Sequence, residues 1–159
     1  MEDRFDWEGW FEDFTVGAVY SHARGKTVSE LDNVLLTNMV LNTAEPHFNE
    51  DFASKDPLFR QRIVYGGINL SMVVGLAAQD TARHAIREVS MDKVRLFNPV
   101  YHGDTLYAFS EVLAVEPQSE AGSGIVHFLH RGYNQDDKLV CSGERRVLIA
   151  SRPGSGDKA

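Results

Sequence analysis

From residue 90 to residue 150 apolar and polar side chains take turns. The segments "MDKVRLFNPV", "DTLYAFSEVLAVE", "GIVHFLHRGYN" and "KLVCSGERRVLIA" carry the alternation, with "HGD", "PQSEAGSG" and "NQDD" between them. A period of two between turn-forming residues predicts four strands. Upstream the period lengthens. Leu31, Val34, Leu35, Asn38 and Leu41 recur at helical spacing, which predicts a helix from about Glu30 to Leu41. Ser29, followed three residues later by Asp32, supplies a capping box at its start. Before it, "AVYSHARGKTVS" is rich in β-compatible residues and predicts an early strand. After it, residues 42–65 hold Pro46, Pro57 and mixed polarity, which predicts a mostly irregular connection. Long connections of this kind in compact domains are often functional.

A second, longer helix is predicted to open at Gly66-Gly67 and to run through "INLSMVVGLAAQDTARHAIREV". Ile68, Met72, Leu76 and Ala85 line one stripe of it, and Gly75, Ala77 and Ala78 keep it thin enough for a sheet to wrap closely. One early strand, a long helix and four further strands predict an α+β domain, an antiparallel sheet curled around a central helix. A length of 159 residues suits one domain with a real core, spanning about residues 10–150. The closing "SRPGSGDKA", residues 151–159, reads as a solvated tail.

Composition narrows the function classes. A hydrophobic fraction of 43% with 25% charged residues is ordinary for a globular protein, and no apolar run is long enough to cross a bilayer. The acidic, aromatic start "MEDRFDWEGW" is unlike a secretory leader, so a cytoplasmic protein is expected. Cys141, the single cysteine, excludes an internal disulfide and sits in an apolar strand as a core residue. A net charge of −7 argues against nucleic acid as a partner and leaves a small ligand as the expectation. His22, His84, His127 and His130 have no metal-ligand spacing, and His127 and His130 have the wrong parity to share a strand face. No metal is expected.

The stretch "NTAEPHFNEDFA", residues 42–53, places Asn42 and His47 outside any amphipathic face. Taken alone it reads as a helix terminator, a proline and a hydrogen-bonded loop histidine. It is one of four segments, with "WFEDFTVGAVYSHARGKTVSELDN", "YGGINLSMVVGLAAQD" and "NPVYHGDTLY", whose order resembles that of the MaoC-like acyl dehydratases. That family includes the (R)-specific enoyl-CoA hydratases, and the resemblance runs from about Trp10 to Leu148. It implies a hot-dog fold, a homodimer or higher homo-oligomer with sites at the subunit boundary, an acyl-CoA thioester as substrate and no cofactor. In the family signature an Asp precedes a His by five positions and a small residue follows six later. His47 and Ala53 match, Pro46 stands one place later than usual, and Asn42 occupies the Asp position. The Asn-Thr pair at this spacing is similar to that of mesaconyl-CoA and itaconyl-CoA hydratases.

The activity so implied is that of a hydro-lyase adding water to a 2-enoyl-CoA to give a 3-hydroxyacyl-CoA, with a short branched or dicarboxylic acyl group. Neutral histidine can be base and then acid within one cycle, and an amide can hold a water through its carbonyl oxygen. His47 is therefore the expected proton carrier and Asn42 the group that orients the water. Gly66 matches the family glycine whose N–H meets the thioester oxygen, with Gly67 beside it; Tyr65 stands where a His is common, and Val74 where hydratases carry a Ser. Glu45 is a candidate acid, and Arg62 and Arg95 are candidates for a CoA phosphate or a second carboxylate. Asp32 is most simply a helix cap, and His102 in "YHGDTL" supports a tight turn. Two readings stay open beside the hydro-lyase: a thioesterase, for which Asp80 is the only acid well inside the long helix, and a non-catalytic subunit that binds acyl thioesters. An unpaired sheet edge independently calls for a partner.

Overall fold

The structure, a computed structural model, describes residues 7–118 and 122–154. It contains β1 (Val19–Thr27), α1 (Glu30–Met39), α2 (Glu45–Phe48), α3 (Glu50–Lys55), α4 (Gly66–Thr81), β2 (Ala85–Leu96), β3 (Thr105–Pro117), β4 (Ser123–Tyr133) and β5 (Leu139–Ala150). The strands form one sheet in the order β1-β3-β4-β5-β2, with every neighbouring pair antiparallel. α4 packs against the sheet and touches all five strands. This is the hot-dog arrangement of the expected α+β fold.

The alternation read from the chain is the alternation that is buried. Along β4, Gly124, Val126, Phe128, His130 and Gly132 are buried and their neighbours are not. One face of the strand meets the core and the other does not, as the period of two requires. Val73 and Ala77 of α4 join Val28, Val64, Val100, Leu106 and Val140 in the core. A second cluster around Phe14, Val112, Phe128 and Ile149 is closed by Trp7 and Phe11 from the N-terminal segment. Each fully buried side chain of this size contributes roughly 1.5–3 kcal/mol.

The close approach of helix and sheet comes from glycines on the sheet. A Cβ on Gly132 would lie 2.4 Å from Val73 Cγ2, and one on Gly143 would lie 3.0 Å from Leu70 Cδ1. A Cβ on Gly75 would meet nothing within 4 Å among the described residues, so that glycine does not bring the helix closer to the sheet as the sequence suggested.

Other expectations are corrected. α4 stops at Thr81, and Ala85 is the first residue of β2, paired with Ile149 of β5. Residues 82–89 have fair helical propensity, but pairing with β5 overrides it. α1 turns its polar side inward: Asn33 and Thr37 are buried, while Leu31 and Leu35 are 63% and 56% exposed. Residues 42–65 contain α2 and α3 rather than irregular chain, and Ile63 bridges to Tyr101. The start of the tail is tied down, because Arg152 pairs with Glu8 and Asp13; residues 155–159 of it lie outside the described residues. Two local expectations hold. Ser29 and Asp32 form the capping box, and hydrogen bonds from Lys26 and Ser29 hold the Asp32 carboxyl down to about 2. Cys141 is buried, and burial pushes its thiol up to about 11.

Candidate active site

The site begins with the turn that ends α1. Leu41 takes a positive φ of 56°, and Asn42 Oδ1 then accepts a hydrogen bond from Ala44 N–H at 3.0 Å. This Asx turn reverses the chain into α2, where Glu45 and Pro46 occupy the first turn and His47 the last. The oxygen that the sequence assigned to a water accepts this backbone hydrogen bond with one of its two lone pairs. Asn42 shapes the segment that delivers His47.

His47 is held from both sides. Its Nδ1 lies 3.0 Å from Ile63 O, a carbonyl that can only accept, so Nδ1 carries the proton. In the neutral ring Nε2 is then a bare lone pair, which is the form a general base requires. Ile63 N–H donates back to Pro46 O at 3.0 Å, which ties the end of this connection to α2. The ring is tilted 57° to that of Tyr65, with 5.6 Å between centroids.

Asn33, which sequence patterning left out, connects this histidine to α4. Its Nδ2 donates to His47 O at 3.1 Å, and its Oδ1 accepts from Tyr65 N–H at 3.2 Å. One buried amide therefore spaces the histidine segment from the residue that precedes α4. The available signal was Asn33 and Thr37 at helical spacing, a polar pair one turn apart within an apolar helix.

α4 opens without a cap. Tyr65 at its N-cap makes no side-chain hydrogen bond to the first turn, and no acid occupies that turn. The N–H groups of Gly66 and Gly67 have no acceptor within the helix by position, and the dipole concentrates positive charge there. The two glycines face different ways. Gly66 lines a cavity of about 480 Å³ together with His47, Asn69, Leu96 and Phe97. Gly67 lines a separate hollow against Leu36 and Val40 of α1. A Cβ at 66 would lie 2.3 Å from Leu96 Cδ1, so the end of that side chain would have to shift.

Asn69 is the second residue that patterning did not single out. It is 3% exposed, and its Oδ1 has no hydrogen-bond partner among the described residues. An unsatisfied buried polar group of this kind costs about 1–3 kcal/mol.

The remaining candidates stand apart from this cavity. Glu45 lines a different depression beside Asn49 and Lys55. Arg62 is held by Glu50 at 2.7 Å and by Glu30, and these two carboxylates raise its guanidinium further. Arg95 is exposed on β2, next to the cavity residue Leu96. Asp80 lies fourteen residues beyond Gly66, about 21 Å along the helix, and contacts His22 Nδ1 at 2.6 Å. Among the described residues no group of three or more His, Cys, Asp or Glu is placed to hold a metal ion.

A family description for mesaconyl-CoA hydratase matches residues 8–151. The chain belongs to this MaoC-like family. It is 33% identical to the mesaconyl-CoA hydratase of Haloarcula marismortui, over 88% of this chain and 41% of that protein. It is 36% identical to the β-methylmalyl-CoA dehydratase of Chloroflexus aurantiacus, over 65% of this chain and 29% of that protein. A Mycobacterium tuberculosis protein with a double hotdog fold superposes with a TM-score of 0.80 over 91% of this chain and 45% of that one, and at 19% identity the likeness is one of fold. The chain thus spans about two fifths of the first of these family relatives and less of the second.

Proposed function

We propose that this chain is a hydro-lyase that reversibly hydrates a 2-enoyl-CoA thioester with a short branched or dicarboxylic acyl group. One observation carries the reading: the Nδ1-protonated His47 and Gly66, at the uncapped start of α4, line the same cavity. In the forward direction His47 Nε2 takes a proton from water as the oxygen bonds to C3. The C2=C3 π electrons move toward the thioester, whose oxygen becomes enolate-like and meets the N–H of Gly66 at the positive end of the helix. The imidazolium then returns its proton to C2, and the neutral ring is restored. One group carrying both protons on one side gives syn addition. The mesaconyl-CoA hydratase and β-methylmalyl-CoA dehydratase relatives support a branched dicarboxylic acyl group. Exposed Arg95 is the arginine we assign to an anionic part of the substrate; Arg62 would first have to leave Glu30 and Glu50. Glu45, outside the cavity, and Gly67, in its own hollow, hold lesser parts in this reading.

The chain acts as one hot-dog unit with its core over about residues 10–150, the chemistry uses side chains and backbone without a cofactor, and the working form is at least a homodimer. β2 is a terminal strand whose residues are exposed on both faces apart from Ser90, with Met91, Val94 and Leu96 at least half exposed. An unpaired apolar edge of this length calls for a second copy. No helix of the described residues is long and apolar enough to cross a membrane, and a cytoplasmic location fits an acyl-CoA substrate and a buried free thiol.

The test is incubation with crotonyl-CoA and with a mesaconyl-type thioester. Loss of enoyl absorbance is the expected result. Release of free thiol would instead indicate a thioesterase, a reading weakened by the place of Asp80 at the far end of α4 and its contact with His22. Binding with neither change would indicate a silent subunit.

A further inference from the structure

Hydration needs more than a base and an oxyanion site. A water held by the imidazole alone can swing about that single hydrogen bond, and a reacting oxygen has to be fixed in distance and direction to gain the rate that orientation offers. Asn42, at the position the family signature suggests, has its oxygen engaged by Ala44 N–H. α4 offers another amide. Asn69 follows Gly66 by three residues, lines the cavity with His47 and Gly66, is 3% exposed, and has an Oδ1 without a partner among the described residues.

We propose that Asn69 is a catalytic residue that holds the reacting oxygen, accepting a hydrogen bond from the water and then from the 3-hydroxyl of the product. The inference rests on the hydratase reading above. Asn69 is one of the residues that line the cavity, its buried amide oxygen has no donor among the described residues, and a water has two donors to give. One water proton passes to His47 Nε2. The other stays on oxygen, points to the Asn69 amide oxygen throughout, and ends as the hydrogen of the product hydroxyl. The same contact serves dehydration, because the hydroxyl is held while His47 takes the C2 proton and then returns it to the departing oxygen. A carboxamide suits this place better than a carboxylate: it accepts a hydrogen bond without placing negative charge in the cavity where the enolate forms.

The experiment compares Asn69→Leu and Asn69→Asp with wild type on crotonyl-CoA and on a mesaconyl-type thioester, together with thermal unfolding of the unliganded proteins. Leu has similar bulk and no acceptor. Its kcat should fall about a hundredfold on both substrates with KM changed by less than about threefold, the signature of lost orientation rather than lost binding. Its Tm should hold or rise, because an unpaired buried polar group has been replaced by an apolar one. Asp keeps an acceptor and should stay within about tenfold of wild type. Unchanged kcat in the Leu variant overturns the proposal, as does an Asp variant no better than Leu. So does a KM rise confined to the carboxylated thioester, which would make Asn69 an anchor for the distal carboxylate. A lowered Tm with a matching loss of active protein would make its role structural and also overturn it. Should Asn69→Leu fail to fold, Asn69→Ala is judged by the same criteria. Wild type that hydrates neither thioester removes the hydratase reading itself; wild type that hydrates both while Asn69→Leu is unaffected removes this inference alone.

Discussion

Two histidine clusters divide this molecule, and the one with the more familiar chemistry is the one closed to substrate. Asp80, His22, Ser110 and His130 form a chain: Asp80 Oδ2 to His22 Nδ1 at 2.6 Å, His22 Nε2 to Ser110 Oγ at 2.7 Å, and Ser110 Oγ to His130 Nδ1 at 2.7 Å. With Asp80 ionised and both rings neutral, the direction follows. His22 Nδ1 donates to the carboxylate, Ser110 donates to His22 Nε2, and His130 Nδ1 donates to Ser110. This is the order of a nucleophilic triad, yet Ser110 and His130 have no exposed surface. His130 Nε2 ends the chain as a buried atom without a partner among the described residues. The cluster around His47 is chemically plainer, an imidazole held by a backbone carbonyl, but its ring lines a cavity and the helix start beside it is uncapped. Residue types in sequence with an acid, base and hydroxyl do not make a site. Access and an unsatisfied polar group do, and only the second cluster has both.

Replacing His47 sharpens this contrast most. His47→Ala should lower hydration about a thousandfold, within the range expected for losing a general base, while His22→Ala should retain turnover per folded molecule. Initial rates on crotonyl-CoA for the two variants check this, and equal losses would erase the distinction between the clusters. Ser110→Ala tests the sealed chain from the other side. It strands His22 Nε2 and the His130 Nδ1 proton in the core, and urea unfolding should show a loss of about 2–5 kcal/mol with the KM for substrate unchanged.

The sealed chain also has a sign in pH. Burial, and then the charge of Arg145, hold the His130 ring down to about 3. Below pH of about 6.5 the unfolded chain takes up a proton that the folded protein refuses until about 3, so this group's contribution is intact above 6.5 and is lost as pH falls. The slope is up to about 1.4 kcal/mol per pH unit across that window. His130→Phe should flatten this part of the stability profile measured from pH 7 to pH 4. The smallest effect expected is that of Gly66→Ala. The added Cβ meets the end of the Leu96 side chain, which can shift, so the stability loss should be about 1 kcal/mol. Its kcat should fall by more than that loss implies, because the thioester no longer approaches the helix start closely.

Much of the frame was legible in the chain. The alternation of β3, β4 and β5, the capping box at Ser29 and Asp32, and a helix opening at Gly66 follow from local rules of period and cap. His47 and Gly66 were legible as candidates through the ordered segments. The end of α4 was not, because the pairing of Ala85 with Ile149 spans more than sixty residues and outweighs local propensity. Nor was the inward face of α1, since Asn33 is buried for the sake of His47 O and Tyr65 N–H rather than for its own transfer energy.

What the sequence determines by itself is therefore the set of elements and the residue types that could do chemistry, since both depend on neighbours within a few positions. Tertiary structure decides which of those residues share a space. It places His47, Gly66 and Asn69 on one cavity, turns Gly67 and Glu45 to others, and buries the His22, Ser110 and His130 that continue the chain from the half-exposed Asp80. Sharing a cavity depends on contacts between segments far apart in the chain, and periodicity within a segment carries no record of them.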